Sequence, residues 1–164
     1  MQELEPILVS ACLLGMATRY DATDNRDQAI LDLLRGNKLL PIPVCPEQLG
    51  GLPTPRPKAW FSGGDGRALL QSCARLRDEE GTDLGPTFVR GAQEVVKIAQ
   101  LCGCRRAILK ERSPSCGSGR VHCDGEVIAG VGVTCALLQE AGIHVCSEES
   151  LADFNQPASN PDRR

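Results

Sequence analysis

Cysteine is the residue type that most clearly indicates chemistry in this 164-residue chain. The nine cysteines are Cys12, Cys45, Cys73, Cys102, Cys104, Cys116, Cys123, Cys135 and Cys146. Their number is odd, so a complete set of disulfide pairs would leave one over. The start of the chain lacks the basic stretch of a secretory signal, so we expect a cytoplasmic protein with reduced thiols. The cysteines are then metal ligands, reactive thiols or small buried apolar residues, and we expect the last for most of them.

Three of the cysteines follow short apolar segments that are typical of buried strands. Cys12 follows I-L-V-S-A, Cys45 follows L-P-I-P-V, and Cys116 comes soon after R-A-I-L-K. If these strands are parallel neighbours, their carboxyl ends bring the three thiols into one crevice. Three thiolates suit a zinc ion with an open fourth position, or an iron–sulfur cluster in which one iron has no protein ligand. The alternative is that the three are unrelated core residues.

Two residues near these cysteines have side chains that suit proton transfer. Glu47 stands two residues after Cys45, and a carboxylate beside an open metal position can activate water. The alternative for Glu47 is a solvated loop carboxylate. Ser113 precedes Cys116 in a Ser-Pro-Ser segment, a pattern that turn formation alone also explains.

Three further residues are predicted to contact a substrate, whereas the two histidines of the chain are predicted to have no role in the site. Ser115, Gly117 and Lys110 are predicted substrate contacts, since glycine lets the backbone approach a ligand closely. His122 and His144 stand alone in the sequence, and we predict that both are surface or packing residues.

The spacing of apolar residues predicts alternating strands and helices that position these groups. Strands are predicted at 6–11, 39–45, 106–110 and 143–146; helices are predicted at 26–34, 88–101, 132–140 and, as a last turn, 148–154. Residues 46–67 and 113–119 are rich in Gly, Pro and Ser and are predicted loops, whereas 68–76 is either a strand or a short helix. Pro41 and Pro43 indicate that the second strand is an edge strand or a partly paired one.

This order of elements predicts an α/β fold with a mostly parallel, Rossmann-like sheet flanked by helices on both faces. Gly/Pro-rich loops are expected at the carboxyl ends of the strands. Residues 1–154 form a single predicted domain, and 155–164 form a predicted flexible tail because they are polar and rich in proline.

Composition excludes or disfavours several functional classes. No apolar run approaches the roughly 18 residues of a membrane span, so no membrane role is expected. The chain has 18 Lys and Arg against 21 Asp and Glu, a formal charge of −3, and only 3% aromatic residues. Both values argue against strong binding of nucleic acid, which uses a basic field and aromatic stacking platforms.

The motifs together resemble those of the thiouracil desulfurase family, across about residues 7–151. The matching segments are V-S-A-C-L-L-G at 9–15, R-Y-D at 19–21, V-C-P-E at 44–47, G-G-L-P-T-P-R at 50–56, L-K-E-R-S-P-S-C-G at 109–117 and S-E-E at 147–149. The segment A-T-D-N at 22–25 departs from the glycines that many relatives have there. The departure affects the expected loop shape and substrate detail, not the cysteines.

The resemblance implies a [4Fe-4S] cluster bound by Cys12, Cys45 and Cys116. It implies that the iron without a protein ligand binds the sulfur of a thiolated pyrimidine, which is removed without net redox change. The substrates would be 2-thiouracil or 4-thiouracil, converted to uracil and sulfide. The resemblance also implies that Glu47 and a serine, Ser113 rather than Ser115, handle the protons.

Three alternatives stay open at this point. The first is a desulfurase that acts on 4-thiouridine in tRNA or in nucleosides, with thiolated tRNA as a partner. The second is a non-catalytic metal or redox-sensing module. The third is a zinc hydrolase.

Overall fold

The computed structural model describes residues 3–155 of the chain. Within that range the helices are α1 (Gln28–Gly36), α2 (Pro46–Leu49), α3 (Gly66–Leu70), α4 (Gly85–Cys102) and α5 (Val133–Glu140). The strands are β1 (Glu5–Ser10), β2 (Leu39–Val44), β3 (Ala59–Ser62), β4 (Arg75–Asp78), β5 (Arg106–Leu109), β6 (Arg120–Cys123), β7 (Glu126–Ala129) and β8 (His144–Ser147). Short 3₁₀ turns lie at Ala11–Leu14 and Leu151–Asn155. None of these helices is long and apolar enough to cross a membrane. Apart from its first residue, the predicted tail at 155–164 lies outside the described residues.

A four-stranded parallel sheet forms the centre of the fold, in the order β2-β1-β5-β8. Ser10, the last residue of β1, pairs with Val44, the last residue of β2, so the carboxyl ends of these strands lie at the same edge. β2 has one neighbour in this sheet, which suits Pro41 and Pro43 because proline has no N–H to offer a second strand. The predicted parallel α/β sheet and the predicted edge strand are both confirmed.

The residues of β1 alternate between two apolar layers, as expected for a sheet covered on both faces. Ile7 and Val9 belong to one buried cluster, and Leu8 belongs to another. The first cluster also includes Ile30, Leu34 and Phe154, and the second includes Val95, Ala99 and Leu138. Helix α1 therefore covers one face of the sheet, and α4 and α5 cover the other. The helices predicted at 26–34, 88–101 and 132–140 correspond to α1, α4 and α5, with ends shifted by at most three residues.

A second, mixed sheet in the order β4-β3-β6-β7 is absent from the sequence-based prediction. The predicted loop at 46–67 instead contains α2, β3 and the start of α3, and the ambiguous segment 68–76 divides between α3 and β4. β6 and β7 form a hairpin around Asp124 and Gly125, both with positive φ (49° and 84°). Each of these four strands has only four residues, too few for their alternation to be distinctive. This sheet brings residues 58–62 and 120–123 beside the carboxyl edge of the first.

Helix α4 approaches α2 so closely that only glycine fits at the contact. A Cβ atom on Gly91 would lie 2.0 Å from the carbonyl oxygen of Pro46, the first residue of α2. The adjacent Arg90 donates to the carbonyl oxygen of Gly50 from Nε at 3.1 Å and from Nη2 at 2.6 Å. Since Glu47 lies in the first turn of α2, this contact sets the position of that carboxylate relative to the sheet.

Gly91→Ala is expected to lower the free energy of unfolding by about 1–3 kcal/mol, because the added methyl group must push the two backbones apart. Gly36→Ala is the matched control, since a Cβ atom there meets nothing within 4 Å. At such a compatible site the same change stabilises by about 0.4–1 kcal/mol. Urea denaturation followed by circular dichroism measures both changes. Equal stability of Gly91→Ala and the unmodified protein would contradict the packing argument.

Candidate active site

A cleft of about 400 Å³ lies at the carboxyl edge of the parallel sheet. Its lining includes Cys12 from the turn after β1, Cys45 at the start of α2, and Cys116 from the loop after β5. Glu47 and Ser113 line the same cleft. Five residues from three segments that are far apart in sequence therefore share one cavity, whose volume is typical of a small-molecule site.

The three thiols influence one another, and the surroundings of Cys12 and Cys116 disfavour the ionised form of these two. Burial raises the pKa of the Cys116 thiol well above its ordinary value; a hydrogen bond with Ser10 opposes this, and Cys12 and Cys45 raise the pKa further. Burial also raises the pKa of the Cys12 thiol, against a hydrogen bond with Asn25. Neighbouring thiols of this kind lose their protons when a cationic centre binds them. The donor set therefore fits a positively charged centre that prefers soft ligands.

Three cysteines on one cleft offer the soft donors that both zinc and iron–sulfur clusters use. A zinc ion would take all its thiolates at about 2.3 Å from one atom, whereas an iron–sulfur cubane takes one thiolate at each iron. Within residues 3–155, no three side chains among His, Cys, Asp and Glu form a ready-made site for one metal ion.

Glu111 anchors one side of the loop that contains Cys116. Its Oε1 accepts hydrogen bonds from the backbone N–H groups of Ser118, Gly119 and Arg120, at 3.0, 3.0 and 3.1 Å. Burial alone would raise the pKa of the Glu111 carboxyl, but the hydrogen bonds from Gly119 and Arg120 lower it below its ordinary value. The buried carboxylate is therefore ionised at neutral pH and fixes this side of the loop.

The first turn of α5 holds the other side of the loop. The backbone N–H groups of residues 132, 133 and 134 donate to the carbonyl oxygens of Gly117, Pro114 and Ser115, at 2.8, 2.9 and 2.8 Å. A helix N-terminus has N–H groups without partners inside the helix, and here the loop carbonyls satisfy them. The Cys116 loop is thus fixed from both sides by hydrogen bonds to the backbone.

Ser113 combines a structural contact with a hydroxyl that faces the cleft. Its Oγ accepts from the backbone N–H groups of Ser115 and Cys116, both at 3.2 Å. These contacts use lone pairs, so they leave the O–H proton of Ser113 available to a further acceptor. Ser113 is therefore suited to donate a hydrogen bond to a bound molecule.

The three predicted substrate contacts have different positions. Ser115 is buried and does not line the cleft, and neither does Gly117, so a substrate contact by either stays a prediction that the shape of the cleft does not favour. Gly117 instead allows the loop to pack tightly, since a Cβ atom there would lie 2.5 Å from the carbonyl oxygen of Arg120. Lys110 does line the cleft, but its Nζ is held by Glu148 at 2.6 Å and by the carbonyl oxygen of Glu111 at 3.1 Å.

Several cleft residues have no counterpart in the sequence-based prediction. They are Ser10, Thr18, Arg19, Tyr20, Asn25, Arg56, Lys58, Arg112 and His122. His122, which the sequence predicts to be a surface or packing residue and not a ligand, is at the surface of this cleft. Burial lowers the pKa of His122, and the charges of Lys58 and Arg112 lower it further, so its imidazole is neutral at pH 7. One feature of the sequence bears on the position of His122: the dipeptide Asp124-Gly125 favours a hairpin, and His122 lies in the strand just before it.

Replacing Glu111 by glutamine is expected to lower the free energy of unfolding by about 1–3 kcal/mol at pH 7, because buried N–H groups lose a charged acceptor. The folded-state pKa of Glu111 is lowered, so its contribution is complete above the unfolded-state value of about 4.3 and is lost as the pH falls through the folded-state value. The difference from the unmodified protein should therefore shrink in acid. Urea denaturation at several pH values measures it, with Glu94→Gln on exposed α4 surface as control. A difference that stays constant down to acid pH would contradict this account.

The other six cysteines do not line the cleft. Burial raises the pKa of Cys104 to about 11 and those of Cys135 and Cys146 to about 12. Cys123 is also buried, whereas Cys73 is exposed. The nine thiols form no disulfide bonds. These residues match the expectation that most cysteines of the chain serve packing.

Proteins with a parallel α/β sheet bind small ligands in the crevice at the carboxyl edge of that sheet. In this protein the crevice is lined by thiols, a carboxylate and a hydroxyl. Comparison with known families makes the assignment specific. Residues 7–150 match the family described as 2-thiouracil desulfurase, and the chain belongs to that family. The predicted family is confirmed.

Two individual relatives illustrate the likeness. The solved structure titled [4Fe-4S]-dependent thiouracil desulfidase TudS shares 41% identity, covers 92% of this chain and 95% of its own, and superposes with a TM-score of 0.77. The uncharacterised protein YbbK of Bacillus subtilis (strain 168) is 39% identical over 151 residues, which cover 90% of this chain and 99% of YbbK. The likeness therefore extends over nearly the whole of each protein.

Proposed function

We propose that this chain removes sulfur from thiolated uracil with a [4Fe-4S] cluster, giving uracil and sulfide without net oxidation or reduction. The observation that supports this most is the presence of Cys12, Cys45, Cys116, Glu47 and Ser113 on one cleft. Membership of the family and the likeness to TudS support the same chemistry.

The three cysteines would hold the cluster with one thiolate each. The bound cluster supplies a Lewis-acid position, at the iron without a protein ligand, for the soft sulfur of the substrate. The fixed loop around Cys116 supports this assignment, because a ligand held by second-layer hydrogen bonds needs little reordering when it binds.

Glu47 is the proposed general base. Its side chain is 18% exposed and lies in the cleft, so its carboxylate can take a proton from a water molecule that attacks the carbon of the C–S bond. Ser113 donates its O–H to the thiocarbonyl sulfur and so orients the nucleobase. The C–S bond then breaks as the new C=O bond forms. In total, thiouracil and water give uracil and hydrogen sulfide, so no electron acceptor is required.

Both 2-thiouracil and 4-thiouracil are proposed substrates. The cleft of about 400 Å³ has the size of a site for a small molecule such as a single nucleobase. The alternative substrate is 4-thiouridine in tRNA or in nucleosides. The formal charge of −3 does not favour a large polyanion, which makes tRNA the second choice.

Anaerobic reconstitution followed by incubation with substrate tests the proposal. The iron- and sulfide-loaded protein is mixed separately with 2-thiouracil, 4-thiouracil, 4-thiouridine and thiolated tRNA, and uracil (or uridine) and sulfide are measured. We expect uracil and sulfide in equal amounts from at least one free base, and none from the protein without iron. If thiolated tRNA is converted and no free base is, then tRNA is the substrate instead of the free base. A loaded protein that converts none of these compounds would contradict the proposal and favour a metal or redox-sensing role.

A further inference from the structure

Arg56 is a buried arginine that connects several parts of the cleft. Its side chain is only 3% exposed. Nη2 donates to Glu47 Oε2 at 3.1 Å and to the carbonyl oxygen of Thr18 at 2.9 Å. Nη1 donates to the carbonyl oxygen of Pro53 at 3.2 Å and to Thr54 Oγ1 at 2.9 Å. One guanidinium group thus reaches α2, the segment after Cys12 and the segment before β3.

Two further contacts tie the backbone around Arg56 to the same cleft. The N–H of Arg56 donates to the carbonyl oxygen of Tyr20 at 2.8 Å. The carbonyl oxygen of Thr18 that accepts from Arg56 also accepts from the thiol of Cys45 at 3.8 Å. Arg56 therefore joins the Glu47 carboxylate to the segment that follows Cys12.

A contribution to the stability of the fold does not explain why an arginine is buried at position 56. The Nε atom of Arg56 is buried and has no hydrogen-bond partner among the described residues, and an unsatisfied buried donor is costly. Buried ion pairs are also often no more stable than the apolar residues that could replace them. What a guanidinium offers here is its rigid, planar fork, which fixes the direction of the carboxylate that it binds.

We propose that Arg56 is a positioning residue that holds the Glu47 carboxylate in the orientation required for attack by water. The inference rests on the proposed function, in which Glu47 is the base. Arg56 acts through Glu47 and need not touch the substrate. Lysine retains the charge but has no fork, so Arg56→Lys removes the orientation more than the charge.

A double-mutant cycle with Glu47→Ala tests this role in the reconstituted protein. Arg56→Lys should lower kcat by about 10- to 100-fold, since a displaced catalytic group costs that much. KM and iron content should stay within about twofold. In the Glu47→Ala background, the same replacement should change residual turnover by less than about twofold, because there is no carboxylate left to position. Arg106→Lys is the matched control: it breaks a two-pronged pair with Glu5 that does not line the cleft.

A crystal structure of the iron-free Arg56→Lys variant gives a readout independent of turnover, with the Glu47 carboxylate expected to leave its present position. If Arg56→Lys does not fold, Thr54→Val is used in the same cycle, since it removes one acceptor of Nη1 and leaves the ion pair. Equal effects in the two backgrounds, or an unmoved Glu47, would overturn the inference. An inactive unmodified protein would instead count against the proposed function.

Discussion

Alanine in place of Cys12, Cys45 or Cys116 is expected to abolish binding of the cluster. Each thiolate would bind a different iron, so the loss of one removes a third of the protein ligands and opens a second iron to solvent. The brown colour, and the iron and sulfide content per chain after anaerobic reconstitution, measure the effect. We expect less than about a tenth of the unmodified protein's iron in each variant, since loss of a direct ligand exceeds the 10- to 100-fold typical of outer positions.

Two other cysteines provide matched controls for this prediction. Cys73 is exposed and Cys135 is fully buried in the core, and neither lines the cleft. Cys73→Ala and Cys135→Ala should keep nearly full iron content, and circular dichroism of all five iron-free variants should show that they fold. Loss of iron from the controls with retention in Cys12→Ala would remove the ligand assignment.

Replacement of Glu47 by alanine is expected to separate chemistry from cluster binding. The variant should keep its iron content but lose about 10²- to 10⁴-fold in turnover, the usual contribution of a general base. Release of sulfide from thiouracil under single- and multiple-turnover conditions measures the loss. Glu94→Ala removes a carboxylate from the exposed side of α4 and should turn over normally. Near-normal turnover of Glu47→Ala would reject the base assignment.

The sequence was sufficient to predict the first sheet and the convergence of the three thiols. Strands such as β1 and β5 are buried on both faces and therefore appear as unbroken apolar runs. Because parallel strands share one carboxyl edge, strand assignment brought Cys12, Cys45 and Cys116 to one edge of the sheet as candidates, and the family resemblance selected them as ligands. The edge position of β2 followed from Pro41 and Pro43 for an equally local reason.

The second sheet, and the half of the cleft that it supplies, were beyond this kind of inference. β3 has four residues inside a segment rich in Gly and Pro, and it pairs with β6, about sixty residues farther along the chain. Such pairing leaves little periodicity in the sequence. Lys58 and His122 enter the cleft through this pairing, so their positions were not predicted. Arg56 was visible as part of a motif, but its partners come from three segments that only tertiary structure brings together.

The hydrogen bonds that fix the Cys116 loop bear on the order in which the chain folds and acquires its cluster. Glu111 and the first turn of α5 shape this loop through the polypeptide alone. Folding and maturation are then separable events, in contrast to small domains that collapse only around their metal. Iron and sulfide would then be added to a loop whose shape the polypeptide already fixes, and a chain that lost them could be loaded again.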